Sequence, residues 1–117
     1  MRRIILIGLA TLGLLAGCTT APTLTDIPAA LASAKTPEDH QRLAAFFEDK
    51  AKSYDAEAVQ HDRWADQYLA GAGTGGRADR GSAMAAHCRQ LRDQFRQSAE
   101  QARVLASAHR EIARSPR

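Results

Sequence analysis

Two long stretches of the chain place apolar or small residues at alternating intervals of four and three. These stretches cover residues 37–69 and residues 82–113. The spacing is typical of an α-helix that packs along its whole length against another helix, so we predict an all-α, coiled-coil-like fold. In the first stretch the repeated positions are His40, Ala44, Phe47, Ala51, Tyr54, Ala58, His61, Ala65 and Tyr68. In the second stretch they are Met84, Cys88, Leu91, Phe95, Ser98, Ala102, Leu105, His109 and Ile112.

Local signals set the ends of these two predicted helices. Thr36 is a suitable N-cap, Pro37 fits the first helical position, and the acids Glu38 and Asp39 suit the positive end of the helix dipole. The glycine-rich residues 70–81 predict a connecting loop. That loop contains the pattern G-x-G-x-x-G, but no strand precedes it, so we do not interpret it as a dinucleotide site. The alanine-rich residues 29–34 predict a further short helix.

Two helices of similar length joined by a short loop predict an antiparallel hairpin. Residues at the same level of such a pair have numbers with a constant sum, and a sum of 149 places small residues opposite large ones at most levels. Residues 37–69 carry a net charge of −4 and residues 82–114 a net charge of +3, which favours the pairing. The predicted levels include His40 with His109, Tyr54 with Phe95, and His61 with Cys88.

Further apolar residues flank the two repeated stripes. A single two-helix hairpin buries only a thin seam, so we expect two hairpins to associate as a homodimer that forms a four-helix bundle. The flanking residues are Leu43, Phe46 and Trp64 beside the first stripe, and Ala85, Ala99, Ala106 and Ala113 beside the second.

The amino terminus has the form of a targeting signal. Arg2 and Arg3 precede an apolar run of 13 residues, which is too short to span a bilayer comfortably and ends in Leu-Ala-Gly-Cys at residues 15–18. This ending resembles the lipobox of bacterial lipoproteins, at which signal peptidase II cuts before the cysteine.

The resemblance implies a domain organisation and a location. It implies a signal peptide at residues 1–17, a lipidated Cys18 with a flexible tether over residues 18–35, and the helical hairpin at residues 36–114. A lipid anchor of this kind attaches a protein to the membrane on the periplasmic side of the bacterial cell envelope. Thr19, in place of an aspartate after the cysteine, favours the outer membrane.

Histidine, cysteine and methionine side chains suggest possible chemistry. In the predicted register His61, Met84, His87 and Cys88 fall within about one helical turn, and His40 and His109 form a second level at the far end. Imidazole, thiolate and thioether together suit Cu(I) first and Zn²⁺ second, and in a dimer two histidine pairs could also hold a haem. The alternative is structural: the histidines form hydrogen bonds near helix ends, and the sulfur-containing side chains pack in the seam.

Other function classes find little support. The net charge of +3 becomes +1 without Arg2 and Arg3, and no basic patch interleaved with aromatic residues is present, so we expect no nucleic-acid binding. No Ser-His-Asp arrangement or nucleophile elbow can be argued, so we expect no enzyme. The chain also resembles the small helical lipoproteins of Gram-negative bacteria, a resemblance that implies no particular activity.

Two hypotheses therefore remain. In the first, the chain is a lipid-anchored hairpin with a structural or protein-interaction role in the envelope, where it binds an envelope protein. In the second, it is a periplasmic copper- or zinc-binding protein that uses the predicted cluster of histidine, cysteine and methionine.

Overall fold

The chain forms a long helical hairpin. The computed structural model describes residues 24–72 and 76–115, and within these residues every regular element is an α-helix. The helices are α1 (Ile27–Ser33), α2 (Pro37–Gly71) and α3 (Gly76–Arg114). Helices α2 and α3 pack against each other along their length, while the short α1 contacts α2. The predicted signal peptide and the predicted lipidation site, Cys18, lie outside the described residues.

The amino terminus of α2 carries the predicted cap. The Thr36 hydroxyl accepts a hydrogen bond from the Asp39 backbone N–H at 3.1 Å, and the Asp39 carboxylate accepts one from the Thr36 N–H at 3.0 Å. This reciprocal capping box satisfies donors that a helix end leaves without partners, and Pro37 occupies the first turn, where its missing N–H costs nothing. The four hydrogen bonds around Asp39, with Lys35, Thr36 and Arg42, hold the pKa of its carboxyl far below the usual range.

The glycine-rich connection is shorter than predicted. Helix α2 ends at Gly71 and α3 begins at Gly76, so the prediction of a loop over residues 70–81 and a second helix from residue 82 is wrong at this boundary. Gly81 lies inside α3 at a point where the two helices are very close. A Cβ atom at Gly81 would lie 2.5 Å from the Ala72 Cβ and 2.9 Å from the Tyr68 carbonyl oxygen. Glycine is therefore needed here for close approach, and α3 tolerates its cost to helix stability.

The register of the hairpin agrees with the prediction. The Nδ1 atoms of His40 and His109 lie 3.0 Å apart, and the rings of Tyr54 and Phe95 have centroids 6.2 Å apart. Both pairs of residue numbers add up to 149, so the predicted antiparallel pairing is confirmed at two levels.

The alanine positions of the predicted packing face of α2 are also confirmed, whereas Tyr68, expected in the seam, is 42% exposed and Leu43, expected on a flank, is buried at 1% exposure. Ala44, Ala51, Ala58 and Ala65 are buried at intervals of seven residues, and Ala72 continues the row. Alanine at this position of each heptad removes side-chain bulk between the helices and permits a short interaxial distance.

The packing face of α3 is rotated from the one predicted. Ala85, Ala99 and Ala106, which were expected on a flank, are buried at 1% exposure or less and face the alanine row of α2. Met84, Leu105 and Ile112, which were expected in the seam, are 41–50% exposed. The two stripes share Cys88, Phe95, Ala102 and His109 and differ at every other position. Small residues take the central row because large ones would keep the helices apart.

The two glycines near the connection provide a matched test of this close approach. We expect Gly81→Ala to destabilise the protein by about 1–3 kcal/mol, because its new methyl group would collide with Ala72 and with the Tyr68 carbonyl. Gly71→Ala places a methyl group where no atom lies within 4 Å, so it should be neutral or stabilising by up to about 1 kcal/mol. Urea unfolding followed by circular dichroism measures both changes, and equal effects of the two substitutions would contradict the close approach.

Candidate functional site: the uncharged edge of the hairpin

One long edge of the hairpin is a ladder of ion pairs, which we call the arginine edge. Its arginines, Arg89, Arg96, Arg103 and Arg110, recur every seven residues along α3, and the acids Glu48, Asp55 and Asp62 recur every seven residues along α2. Arg110 donates to Glu48 at 2.6 Å, and Arg103 pairs with Asp55. Each exposed pair contributes about 0–1 kcal/mol, so the ladder's main effect is to occupy this edge with charges that find partners inside the hairpin.

Arg92 joins the arginine edge from an unexpected position. It falls in the heptad row otherwise held by Ala85, Ala99 and Ala106, and its side chain is only 22% exposed. The guanidinium donates to Asp62 and to Asp93, each at 2.8 Å. These hydrogen bonds lower the pKa of both carboxyls and raise that of the arginine, so all three groups are charged at neutral pH.

The opposite edge has a different character. We call it the uncharged edge after its α3 rows, although its α2 row includes Lys50 and Glu57. Because the arginine rows occupy one side of the alanine seam, heptad geometry places the row from Met84 to Ile112 on the other side. Along α3 this row and the one beside it contain no Asp, Glu, Lys or Arg from Met84 to Ile112. The large residues of the edge are Phe46, Trp64, Tyr68, Met84, Leu91, Leu105 and Ile112.

Most of these side chains are accessible. Trp64, Tyr68, Met84, Leu105 and Ile112 are 40–50% exposed. Near the connection the two helices share a shallow cavity of about 240 Å³, which Tyr68 lines from α2 and Arg80 and Met84 line from α3. Apolar surface concentrated on one side of a helical layer is typical of a protein-interaction site. Among the other exposed large apolar residues, Val59 and Val104 lie singly on outer faces, and Leu69 continues the acid row of the arginine edge.

The predicted far-end level of histidines is formed. His40 and His109 stack with ring centroids 5.3 Å apart, and Phe47 stacks on His109 at 5.7 Å with the two ring planes 6° apart. One Nδ1 must donate and the other accept across the 3.0 Å contact, so both rings cannot be protonated there without losing the bond. Burial, and then the charge of His40, lower the pKa of His109.

The predicted cluster at the loop end does not form a common ligand set. Cys88 is buried against Ala65 and Ala85, whereas Met84 and His87 are exposed. His61 stacks on Phe95 and meets Trp64 edge-on, and its buried Nδ1 has no hydrogen-bond partner among the described atoms. Within residues 24–72 and 76–115, no three His, Cys, Asp or Glu side chains are grouped so as to hold a metal ion. The metal hypothesis thus lacks its predicted ligands in a single hairpin.

Comparisons with known proteins add no relatives. No protein-family model matches this sequence, and no curated protein or solved structure is significantly similar to it. In the part of the chain that the structure describes, no helix combines the length and the apolarity needed to cross a bilayer.

The uncharged edge was missed by the analysis of hydrophobic spacing. Two parallel rows of α3, one containing Leu91 and Leu105 and the other Ala99 and Ala106, have the same period, and the larger residues were assigned to the seam. The signal that separates them is the charge period. Arginines recur at every seventh position of α3 and acids at every seventh position of α2. These two rows pair along one edge of the hairpin, so the row that contains Leu91 and Leu105 must lie on the opposite edge.

The histidine pair gives a prediction for pH. Because the pKa of His109 is lowered in the folded state from 6.5, the unfolded chain binds a proton first as the pH falls. Stability is therefore present above about pH 6.5 and is lost as the pH falls through the folded pKa. We expect the melting temperature to drop as the pH falls below about 6.5, and His109→Gln to remove much of that slope. His87→Gln, at an exposed position, is the control and should keep the slope. A slope that survives in His109→Gln would contradict the assignment.

Proposed function

We propose that this protein is a lipid-anchored hairpin of the bacterial cell envelope that binds another polypeptide through its uncharged edge. The observation that carries the proposal is the difference between the two edges. On the arginine edge Glu48, Asp55 and Asp62 each pair with an arginine of α3. The opposite edge presents Trp64, Met84 and Leu105 to solvent. The role is structural or adaptor-like and involves no catalysis.

The size of the exposed side chains supports a binding role. Aromatic and methionine side chains are enriched at the centres of protein interfaces, where charged residues are depleted. The uncharged edge supplies Trp64, Tyr68 and Met84 together at the loop end, with Gln67 between them along the shallow surface. A buried tryptophan or tyrosine is the usual source of most of the binding energy of such a surface.

The anchor supports the location. The resemblance of residues 15–18 to a lipobox implies acylation at Cys18, and several acyl chains bind a membrane stably because each buried CH₂ contributes about 0.8 kcal/mol. A lipid anchor would hold the hairpin at the periplasmic surface, where the outer membrane is favoured.

The anchor is tested with the two cysteines of the chain. Full-length protein expressed in a Gram-negative host should incorporate labelled palmitate, and Cys18→Ala should abolish the label and leave the precursor unprocessed. Cys88→Ala is the matched control, because Cys88 is buried in the hairpin and should not affect labelling. Equal labelling of the Cys18→Ala protein and the unaltered chain would contradict the anchor.

The binding edge is tested with two neighbouring positions of α3. A photo-reactive amino acid at Leu105 lies on the uncharged edge, whereas one at Val104 lies on the outer face, although both residues are exposed. Irradiation of cells that express the full chain should give one covalent product of defined mass from position 105 and little from position 104. Equal yields from both positions, or none from either, would contradict an interface on this edge.

A further inference from the structure

We infer that the partner on the uncharged edge is a second copy of this chain, bound in an antiparallel arrangement. In this dimer a two-fold axis lies between the two hairpins, at right angles to the helices, so that α2 faces α2 of the other copy and α3 faces α3. The inference rests on the proposed role of the uncharged edge and specifies its occupant. Three independent features of the edge support it.

The first feature is the order of residues along α3. The edge row contains Met84, Leu91, Ser98, Leu105 and Ile112, at intervals of seven residues. Residues of similar chemistry lie at equal distances on the two sides of Ser98. Leu91 and Leu105 are seven residues away, and the apolar Met84 and Ile112 are fourteen residues away. An antiparallel copy with its axis at Ser98 brings Leu91 to the level of Leu105 and Met84 to the level of Ile112. Apolar residues then face apolar residues along the whole row.

The second feature is the residue on the axis. Two identical side chains meet at a two-fold axis, so a small residue there lets the helices approach. Ser98 is small and half-buried, and its hydroxyl donates to the Gln94 carbonyl oxygen at 3.0 Å. Its hydrogen-bond donor is therefore already satisfied within α3, and burying it between two copies leaves no donor without a partner.

The third feature is the charge on α2. The corresponding row of α2 carries one base, Lys50, and one acid, Glu57, both exposed. Neither makes an ion pair with another residue in the described part of the chain. In the antiparallel dimer Lys50 of each copy comes to the level of Glu57 of the other copy. The dimer therefore contains two Lys50–Glu57 pairs of opposite charge.

The axes implied by α2 and α3 nearly coincide. The midpoint between Lys50 and Glu57 falls beside Tyr54, which is level with Phe95 of α3, their rings being 6.2 Å apart. Phe95 is one helical turn from Ser98, so a single two-fold axis serves both rows within about one turn.

A parallel arrangement fits the edge less well. If the axis ran along the helices, α2 of one copy would face α3 of the other at the levels already present in the hairpin. Lys50 would then lie near Ser98 and Glu57 near Leu91, so neither charge would meet an edge residue of opposite charge. Burial of unpaired charge is costly, which disfavours this alternative.

The area of the edge is sufficient for a stable dimer. Met84 and Ile112 are 28 residues apart, which corresponds to about 42 Å along a helix. Two helices side by side are about 20 Å wide, so each copy can bury about 800 Å², the usual area per partner in a specific complex.

Disulfide crosslinking in the full chain tests the axis. With Cys88→Ala as the background, Ser98→Cys should form a disulfide-linked dimer of twice the chain mass under mild oxidation. Glu100→Cys is the control, because Glu100 is exposed on the outer face of α3. When tagged Leu91→Cys and Leu105→Cys chains are co-expressed, disulfides between the two different chains should exceed those between identical chains.

The outcomes separate the dimer from the broader proposal. A Ser98→Cys product of a different mass overturns the second copy but keeps the uncharged edge as a binding surface. No product from Ser98→Cys overturns the second copy, and the photo-crosslink at Leu105 then decides the edge by itself. Disulfides that favour identical Leu91→Cys chains overturn the antiparallel arrangement.

Charge reversal tests the pairing without cysteines. Lys50→Glu places like charges at both Lys50–Glu57 levels and should raise the dimer dissociation constant about ten-fold, as measured by sedimentation equilibrium. Lys50→Glu combined with Glu57→Lys should restore the original value. Lys52→Glu, on the outer face of α2, is the matched control and should leave the constant unchanged. A double variant as weak as Lys50→Glu alone overturns the pairing.

Discussion

Close approach of two helices along a row of alanines is the constraint on which the rest of this structure depends. An alanine row buries little apolar area per residue, so the seam contributes less than a row of leucines would. It does bring the backbones together, and a residue as small as Gly81 is required where α3 passes Ala72 and Tyr68. Apart from Arg92, whose guanidinium pairs with Asp62 and Asp93, the large side chains lie outside this central row. Some large side chains, such as those of Tyr54 and Phe95, lie beside the alanine row and contact each other across the two helices. Others lie on an edge, where they remain available for contacts outside the hairpin.

A row that repeats alanine every seven residues does not by itself determine which alanine faces which, because a shift by one heptad restores the same pattern. The irregular residues of the seam remove this ambiguity. Arg92 interrupts the row on α3 and pairs with Asp62. A shift by one heptad toward the carboxyl end of α2 would place its guanidinium at the level of Leu69, whereas the opposite shift would place it at the level of Asp55. The contact between His40 and His109 similarly exists in only one register. Polar residues that cost some stability thus specify the alignment, a role well attested for polar positions in coiled coils.

The sequence predicted the helices, the cap at Thr36 and the register, since these follow from spacing and from local hydrogen-bonding chemistry. It failed at two places for the same physical reason. Gly81 was interpreted as a flexible residue and Leu105 as a core residue, because glycine usually interrupts helices and leucine is usually buried. Both interpretations ignore the interaxial distance, which only the packed pair of helices determines. The predicted cluster of His61, Met84, His87 and Cys88 does not assemble in a single hairpin, because Cys88 is buried in the seam whereas Met84 and His87 are exposed.

The arginine edge makes contacts within the hairpin, and the uncharged edge is available for contacts outside it. Arginines and acids on one edge favour the correct pairing of α2 with α3 and keep that edge soluble. In the proposed dimer the second copy covers the other edge. In an antiparallel dimer, the amino termini of the two α2 helices lie about 50 Å apart, at opposite ends of the bundle. Two lipid anchors attached at such distant points would hold the bundle lengthwise along a membrane. A parallel dimer, with both anchors at one end, would project away from it.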